Sequence, residues 1–199
     1  MKKLLLTLTL ALVVTGCSNK PVKEETQPTQ VETTTLLETT NMETTETTTP
    51  AETMEFADLA SYSLVKTQSN VKPLSLVELT GKLGTDQDTY WVFLGYAGCP
   101  WCQKAMPVYN EFAGSEEGTF YYVDVSQPIT DEEYAAFVEK TRPFLKDGDL
   151  YVPLVLGVKN GTITGGHLAL VPSFNINAQE EVNEEQKTEL INIYKNLIK

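Results

Sequence analysis

Tyr90-Trp91-Val92-Phe93-Leu94-Gly95-Tyr96, followed by Ala97-Gly98 and then Cys99-Pro100-Trp101-Cys102, is the stretch on which the reading of this chain turns. An apolar run of strand length hands over, within two small residues, to a Cys-x-x-Cys segment that is expected to open a helix. Unpaired N–H groups and the positive end of the macrodipole stabilise an anion at a helix start. Cys99 is therefore expected to ionise more readily than a free thiol and to attack a disulfide. Cys102, one turn on, is placed to resolve the mixed disulfide.

The rest of the cysteine inventory sharpens this. The chain has three cysteines and one histidine, His167. A structural zinc site needs four N or S ligands, so no metal is expected, and the redox-active Cys99-Cys102 pair stands in place of a cofactor. A static bridge is the alternative use of the pair, but a four-residue ring constrains the unfolded chain little.

The third cysteine belongs to the amino-terminal end. Lys2 and Lys3 precede an apolar run over residues 4–14 that closes with Val14-Thr15-Gly16-Cys17. The run is too short to span a bilayer and has the layout of a secretory signal. Its small-residue-plus-cysteine ending resembles the lipobox of bacterial lipoproteins, which implies cleavage after residue 16 and lipidation of Cys17. An ordinary signal with an incidental cysteine is the alternative. More than one acyl chain on Cys17 would anchor the protein stably to a membrane.

Residues 17–55 are dominated by Thr and Glu, as in Glu43-Thr44-Thr45-Glu46-Thr47-Thr48-Thr49-Pro50, and lack any aromatic residue. Such a stretch buries too little apolar surface to offset its ordering entropy and is expected to be a disordered tether. As a coil its ends would lie about 30 to 40 Å apart. The formal charge is −12, which disfavours nucleic acid and other polyanions as partners.

Residues 56–199 are expected to form one domain with its own core. A helix is expected over residues 74–83 with Pro73 at its start, then the strand and the Cys-x-x-Cys helix, with Tyr109 and Phe112 on the inner stripe of that helix. Phe120-Tyr121-Tyr122-Val123-Asp124-Val125 reads as a strand. Thr130-Asp131-Glu132-Glu133 is a capping box opening a helix that Arg142-Pro143 ends. Residues 150–158 read as a buried strand, Lys159-Asn160-Gly161 as a hairpin turn, and Thr162-Ile163-Thr164 as its return. Asn183 caps a last helix with Leu190, Ile191, Tyr194, Leu197 and Ile198 on one stripe. Strands separated by helices imply a parallel core with a late antiparallel edge, an α/β class.

Two of these segments resemble the thioredoxin-like family. Cys99-Pro100-Trp101-Cys102-Gln103-Lys104-Ala105-Met106-Pro107 is similar to the thioredoxin active-site helix, including a proline five residues after the second cysteine. Val152-Pro153 before Leu154-Val155-Leu156-Gly157-Val158-Lys159-Asn160-Gly161 is similar to its cis-proline strand and turn. The resemblance covers residues 71–199. It implies a thioredoxin-like fold with a central mixed sheet flanked by helices, Cys99 attacking and Cys102 resolving. It also implies a cis Pro153 facing the pair, with the Val152 backbone able to align an extended substrate. A proline bordering an edge strand is the plainer reading of Pro153. Trp101, with Tyr96 and Trp91, is a candidate substrate rim, although Trp91 and Tyr96 also suit a core. Lys104 is either an aid to the thiolate or a solvated helix residue, and His167, after Gly165-Gly166, is expected in a surface loop.

The sequence departs from thioredoxin at Phe93, where the family has a buried aspartate that moves the resolving cysteine's proton, and no lysine lies in residues 120–125. The layout as a whole resembles the extracytoplasmic thioredoxin-like lipoproteins of Gram-positive bacteria, some described as bacteriocin transport accessory proteins. What this implies is a thiol-disulfide oxidoreductase, lipid-anchored on the extracytoplasmic side of the cell membrane. Its expected partners are exported protein or peptide thiols and disulfides and a membrane redox partner, and a monomer is expected. The alternative is a non-catalytic accessory module that holds exported peptides in the same groove.

Overall fold

The computed structural model describes residues 56–199. The signal over residues 1–16, the lipidation site Cys17 and the tether over residues 17–55 lie outside the described residues. In chain order the elements are β1 (Val71–Pro73), α1 (Leu76–Lys82), β2 (Thr89–Gly95), α2 (Pro100–Ser115), β3 (Thr119–Asp124), α3 (Asp131–Thr141), a 3-10 turn (Arg142–Phe144), β4 (Leu154–Lys159), β5 (Thr162–Leu168) and α4 (Glu184–Lys195).

The five strands form one sheet in the order β1-β3-β2-β4-β5. β3 runs parallel to both β1 and β2, while β4 pairs antiparallel with β2 and with β5, so the core is parallel and the late hairpin forms an antiparallel edge. Alternation along β2 explains the two layers. Trp91 and Phe93 turn to the face covered by α2 and α4, with Phe120, Tyr122, Tyr109 and Phe112. Tyr90, Val92 and Leu94 turn to the face covered by α1 and α3, with Leu79, Val123 and Phe137. A strand buried on both faces reads as an unbroken apolar run, which is why β2 was legible.

Helix starts follow a pattern that singles out α2. Ser75 with Glu78, Thr130 with Glu133, and Asn183 with Gln186 form complete capping boxes at α1, α3 and α4, each oxygen cap contributing about 1 kcal/mol. α2 has no oxygen cap and no acidic residue in its first turn; its N-cap is Cys99.

Several expectations need correction. Pro73 belongs to the short strand β1, not to the start of α1, which begins after its cap at Ser75. β4 starts at Leu154 rather than at residue 150: residues 152–153 form a bend before the ladder begins, and the Val152-Pro153 bond within it is cis. β5 is longer than the predicted return strand and includes Gly165, Gly166 and His167, the last paired with Val155 and half-buried rather than in a surface loop. The glycines there serve packing. Gly157 and Gly165 face each other in register, and a Cβ on either would come within 3 Å of Leu197, so the segment that follows α4 lies directly on the hairpin.

Residues 56–70, which the resemblance leaves aside, are part of the core. Ala57, Leu59 and Tyr62 are buried against the α2 side of the sheet. The Ala57 amide bonds to the Val71 carbonyl at 2.9 Å. No helix among the described residues is long and apolar enough to cross a membrane.

Candidate active site

The site is built at the junction of β2 and α2. Cys99 has extended backbone dihedrals and its carbonyl accepts from the Gln103 amide at 3.0 Å, so it closes the first turn without being inside it. Pro100 occupies the first helical position, where its missing N–H costs nothing. The Cys102 amide donates to Cys99 Sγ at 3.2 Å. The sulfur thus takes the place that Ser, Thr or Asn oxygens take in the other three helices. A donor aimed at sulfur, at a dipole end that no carboxylate neutralises, stabilises negative charge developing there.

The two sulfurs differ in access. Cys99 retains 6% exposure and Cys102 none. Burial, with Cys99 beside it, pushes the Cys102 thiol well above the ordinary thiol range. Its position depends on Gly95: a methyl there would come 3.0 Å from Cys102 Sγ and 2.5 Å from Phe93 Cε1. Both thiols are free, so the structure presents the dithiol form.

Facing the pair is the loop before β4. The Val152 carbonyl lies 3.9 Å from Cys99 Sγ, and Pro153 is buried, with its carbonyl accepting from the Ala169 amide at 2.8 Å. The Cys99-Cys102 turn and the Val152-Pro153 bend, 53 residues apart from Cys99 to Val152, therefore lie side by side. Around it, Trp101 is 37% exposed, Tyr96 36% and Tyr151 48%, three aromatic side chains on the surface from three neighbouring segments. Trp101 meets Phe174 edge-on, with ring centroids 6.2 Å apart.

Other candidates fall elsewhere. Trp91 is core, stacked on Phe120, and its indole N–H donates to the Tyr194 carbonyl at 2.8 Å. Lys104 lines a groove on the outer side of α2 with Pro107 and Glu111. His167 packs edge-on against Tyr194; burial lowers its pKa, and its Nε2 has no partner among the described residues.

Two parts of the site were not read from the sequence. Gln103 Nε2 donates to the Ala97 carbonyl at 2.7 Å and to the Ser61 carbonyl at 2.9 Å, while its Oε1 accepts from the Ser63 amide at 3.1 Å. It fastens residues 61–63 to the turn that precedes Cys99. Tyr62 and Tyr122 form a buried hydroxyl pair at 3.1 Å beside Phe93. No local pattern marks either.

A sheet of order β1-β3-β2-β4-β5, a dithiol at the start of the helix after β2 and a cis proline opposite it settle the architecture. The fold is thioredoxin-like.

Comparisons with known proteins add three findings. Residues 1–18 match the family description "prokaryotic membrane lipoprotein lipid attachment site", so the chain carries the signature of a membrane-anchored lipoprotein. Among solved structures, a thioredoxin from Aeropyrum pernix is similar at 17% identity and a TM-score of 0.36, covering 50% of this chain and 75% of that one. A structure described as a DsbH oxidoreductase is similar at 14% identity and a TM-score of 0.33, covering 53% and 77%. Comparison with curated proteins gives no match.

Proposed function

We propose that this protein is a membrane-anchored thiol-disulfide oxidoreductase that works on the extracytoplasmic side through Cys99 and Cys102. The observation that carries the reading is the environment of Cys99 Sγ: it receives the Cys102 amide at 3.2 Å, at the start of a helix with no acid in its first turn, beside the Val152 carbonyl. Cys99 attacks a substrate disulfide, forming a mixed disulfide and releasing one substrate thiolate. Cys102 then attacks Cys99 Sγ, the Cys99-substrate bond breaks, and the pair is left oxidised while the substrate is reduced; the reverse sequence oxidises a dithiol. The backbone of Val152, ahead of Pro153, is where an extended substrate segment aligns, and Trp101 supplies apolar contact next to the sulfurs.

A secretory-type leader that ends just before Cys17 supports export and lipid attachment, and disulfides persist outside the cytoplasm. The extracytoplasmic thioredoxin-like lipoproteins of Gram-positive bacteria, including those described as bacteriocin transport accessory proteins, are the relatives this reading points to. Exported proteins or peptides are the substrates, and a membrane redox protein restores the pair. The test is turnover of a protein disulfide with dithiothreitol as reductant: wild type is expected to turn over, and Cys99→Ser and Cys102→Ser to lose at least about 100-fold. A Cys99→Ser variant that keeps wild-type turnover overturns the reading in favour of a binding module.

A further inference from the structure

The resolving step poses a problem for which the family's usual answer is absent. Cys102 must lose its proton to attack, yet it is fully buried and its thiol is pushed up by that burial. Phe93 stands where a carboxylate would receive the proton. The polar groups that replace it come from elsewhere on the same face of the sheet. Phe93 is in register with Tyr122 and Gly95 with Asp124, so Tyr122 and Asp124 project beside the glycine against which Cys102 Sγ rests.

Residues 56–70 complete the arrangement. They bring Tyr62, 2% exposed, onto Tyr122, 8% exposed, with rings edge-on at 5.9 Å. The Tyr62 hydroxyl donates to the Tyr122 hydroxyl at 3.1 Å, which leaves the Tyr122 hydrogen free. Tyr122 and Asp124 both line a cleft of about 470 Å³ that also borders Ala57, Asp58 and Gln127. Asp124 accepts from the Ser126 amide at 2.9 Å, the Ser126 hydroxyl at 2.7 Å and Gln127 Nε2 at 3.1 Å, bonds that hold its carboxylate charged. Both tyrosines feel the charge of Cys102 and of Asp124.

We propose that the Tyr62-Tyr122 hydroxyl pair is the proton exit for Cys102, leading to the cleft at Asp124. The inference rests on the thiol-exchange reading above. The proposed route includes one water between Cys102 Sγ and the Tyr62 hydroxyl. The proton leaves Cys102 through that water to the Tyr62 oxygen, Tyr62 passes its own proton to Tyr122, and Tyr122 passes its own to water in the cleft. The Cys102 thiolate attacks Cys99 Sγ; the leaving substrate thiolate takes its proton from solvent. The Asp124 carboxylate draws the positive charge outward. The titratable groups near Cys102 are Cys99 from its own helix, Tyr62 from the amino-terminal segment and Tyr122 from β3, with Asp124 next to the two tyrosines; Gly95 of β2 lies against its sulfur and the Tyr96 backbone bonds to it. The tyrosines are positioning residues, acting through water on the reacting thiol.

The test is stopped-flow reaction of the full chain in detergent with 5,5′-dithiobis(2-nitrobenzoate), whose first thiol release reports Cys99 attack and whose second reports resolution by Cys102. Tyr62→Phe and Tyr122→Phe are each expected to slow the second release at least about tenfold at neutral pH, to leave the first within about twofold, and to converge on wild type at alkaline pH where hydroxide takes the proton. Variants that resolve at the wild-type rate, or variants that slow both releases equally, would overturn the inference. A wild type that gives a first release and no second removes the exchange reading, and this inference with it.

Discussion

The side chain of Gln103, one residue beyond Cys102, donates to the Ser61 carbonyl at 2.9 Å across 42 residues of sequence. With its bonds to Ala97 and Ser63 it ties the amino-terminal segment to the turn that carries Cys99. A fourth bond, from the Ser63 hydroxyl to its Oε1, is longer at 3.4 Å; Gln103→Ala removes all four at a partly buried position, the three shorter ones each worth about 1 kcal/mol. Urea unfolding is expected to show a loss of about 1 to 3 kcal/mol, and hydrogen exchange to show the Ser63 amide less protected. Unchanged stability and unchanged exchange would show that the segment is held by Ala57, Leu59 and Tyr62 alone.

Glycine positions give opposite signs. Gly157→Ala would place a Cβ 2.7 Å from Leu197 Cβ and 2.8 Å from its backbone, and overpacking of this kind costs about 1 to 3 kcal/mol. Gly81, inside α1, has nothing within 4 Å of an added Cβ. Gly81→Ala is expected to stabilise by about 0.4 to 1 kcal/mol. Thermal melts of the two variants should move in opposite directions.

Alkaline pH should unfold the protein through its tyrosines. Burial raises the phenol pKa of Tyr62, Tyr109 and Tyr194 far above the ordinary 10.0 and that of Tyr122 up to about 12. A raised pKa means the folded state binds more protons, so stability is whole below the unfolded value near 10 and falls above it. Each such group removes about 1.4 kcal/mol per pH unit in that window. Phenolate absorbance is expected to appear together with loss of circular dichroism above pH 10. Ionisation of these tyrosines in a protein that stays folded would contradict their burial.

Trp101 is exposed beside the sulfurs and should matter for large substrates only. Trp101→Ala is expected to lower kcat/KM for a cysteine-bridged peptide by about 10-fold, roughly the loss of one apolar contact, and to leave reaction with a small aromatic disulfide within about twofold. Equal losses on both substrates would place Trp101 in the support of Cys99 instead.

What the sequence revealed and what it hid divide along a physical line. The β2 run and the inner stripe of α2 were legible because their periods repeat locally, and the capping boxes at Thr130 and Asn183 are spelled out within four residues. Ser75 with Glu78 spells one too, but Pro73 drew the helix start two residues early. Gly165, Gly166 and His167 of β5 look like a loop until their neighbours are seen: Leu197 lies against Gly165, Leu156 and Phe144 against Gly166, and Tyr194 against His167. Tyr62 and Gln103 act through partners 60 and 42 residues away, and such contacts leave no local trace. The placement of Val152 and Pro153 came from family resemblance, since no periodicity brings that loop to Cys99.

The central claim is that Cys99 is the attacking sulfur and Cys102 the resolving one, and the most direct measurement is trapping. Cys102→Ser, treated with 5,5′-dithiobis(2-nitrobenzoate), is expected to release one thiol equivalent and keep the other as a stable adduct that mass mapping places on Cys99, whereas wild type releases two and closes the Cys99-Cys102 bridge. Thiols that stay unreactive in the folded protein, or a Cys99→Ser variant whose Cys102 is labelled as fast as wild type, would contradict it.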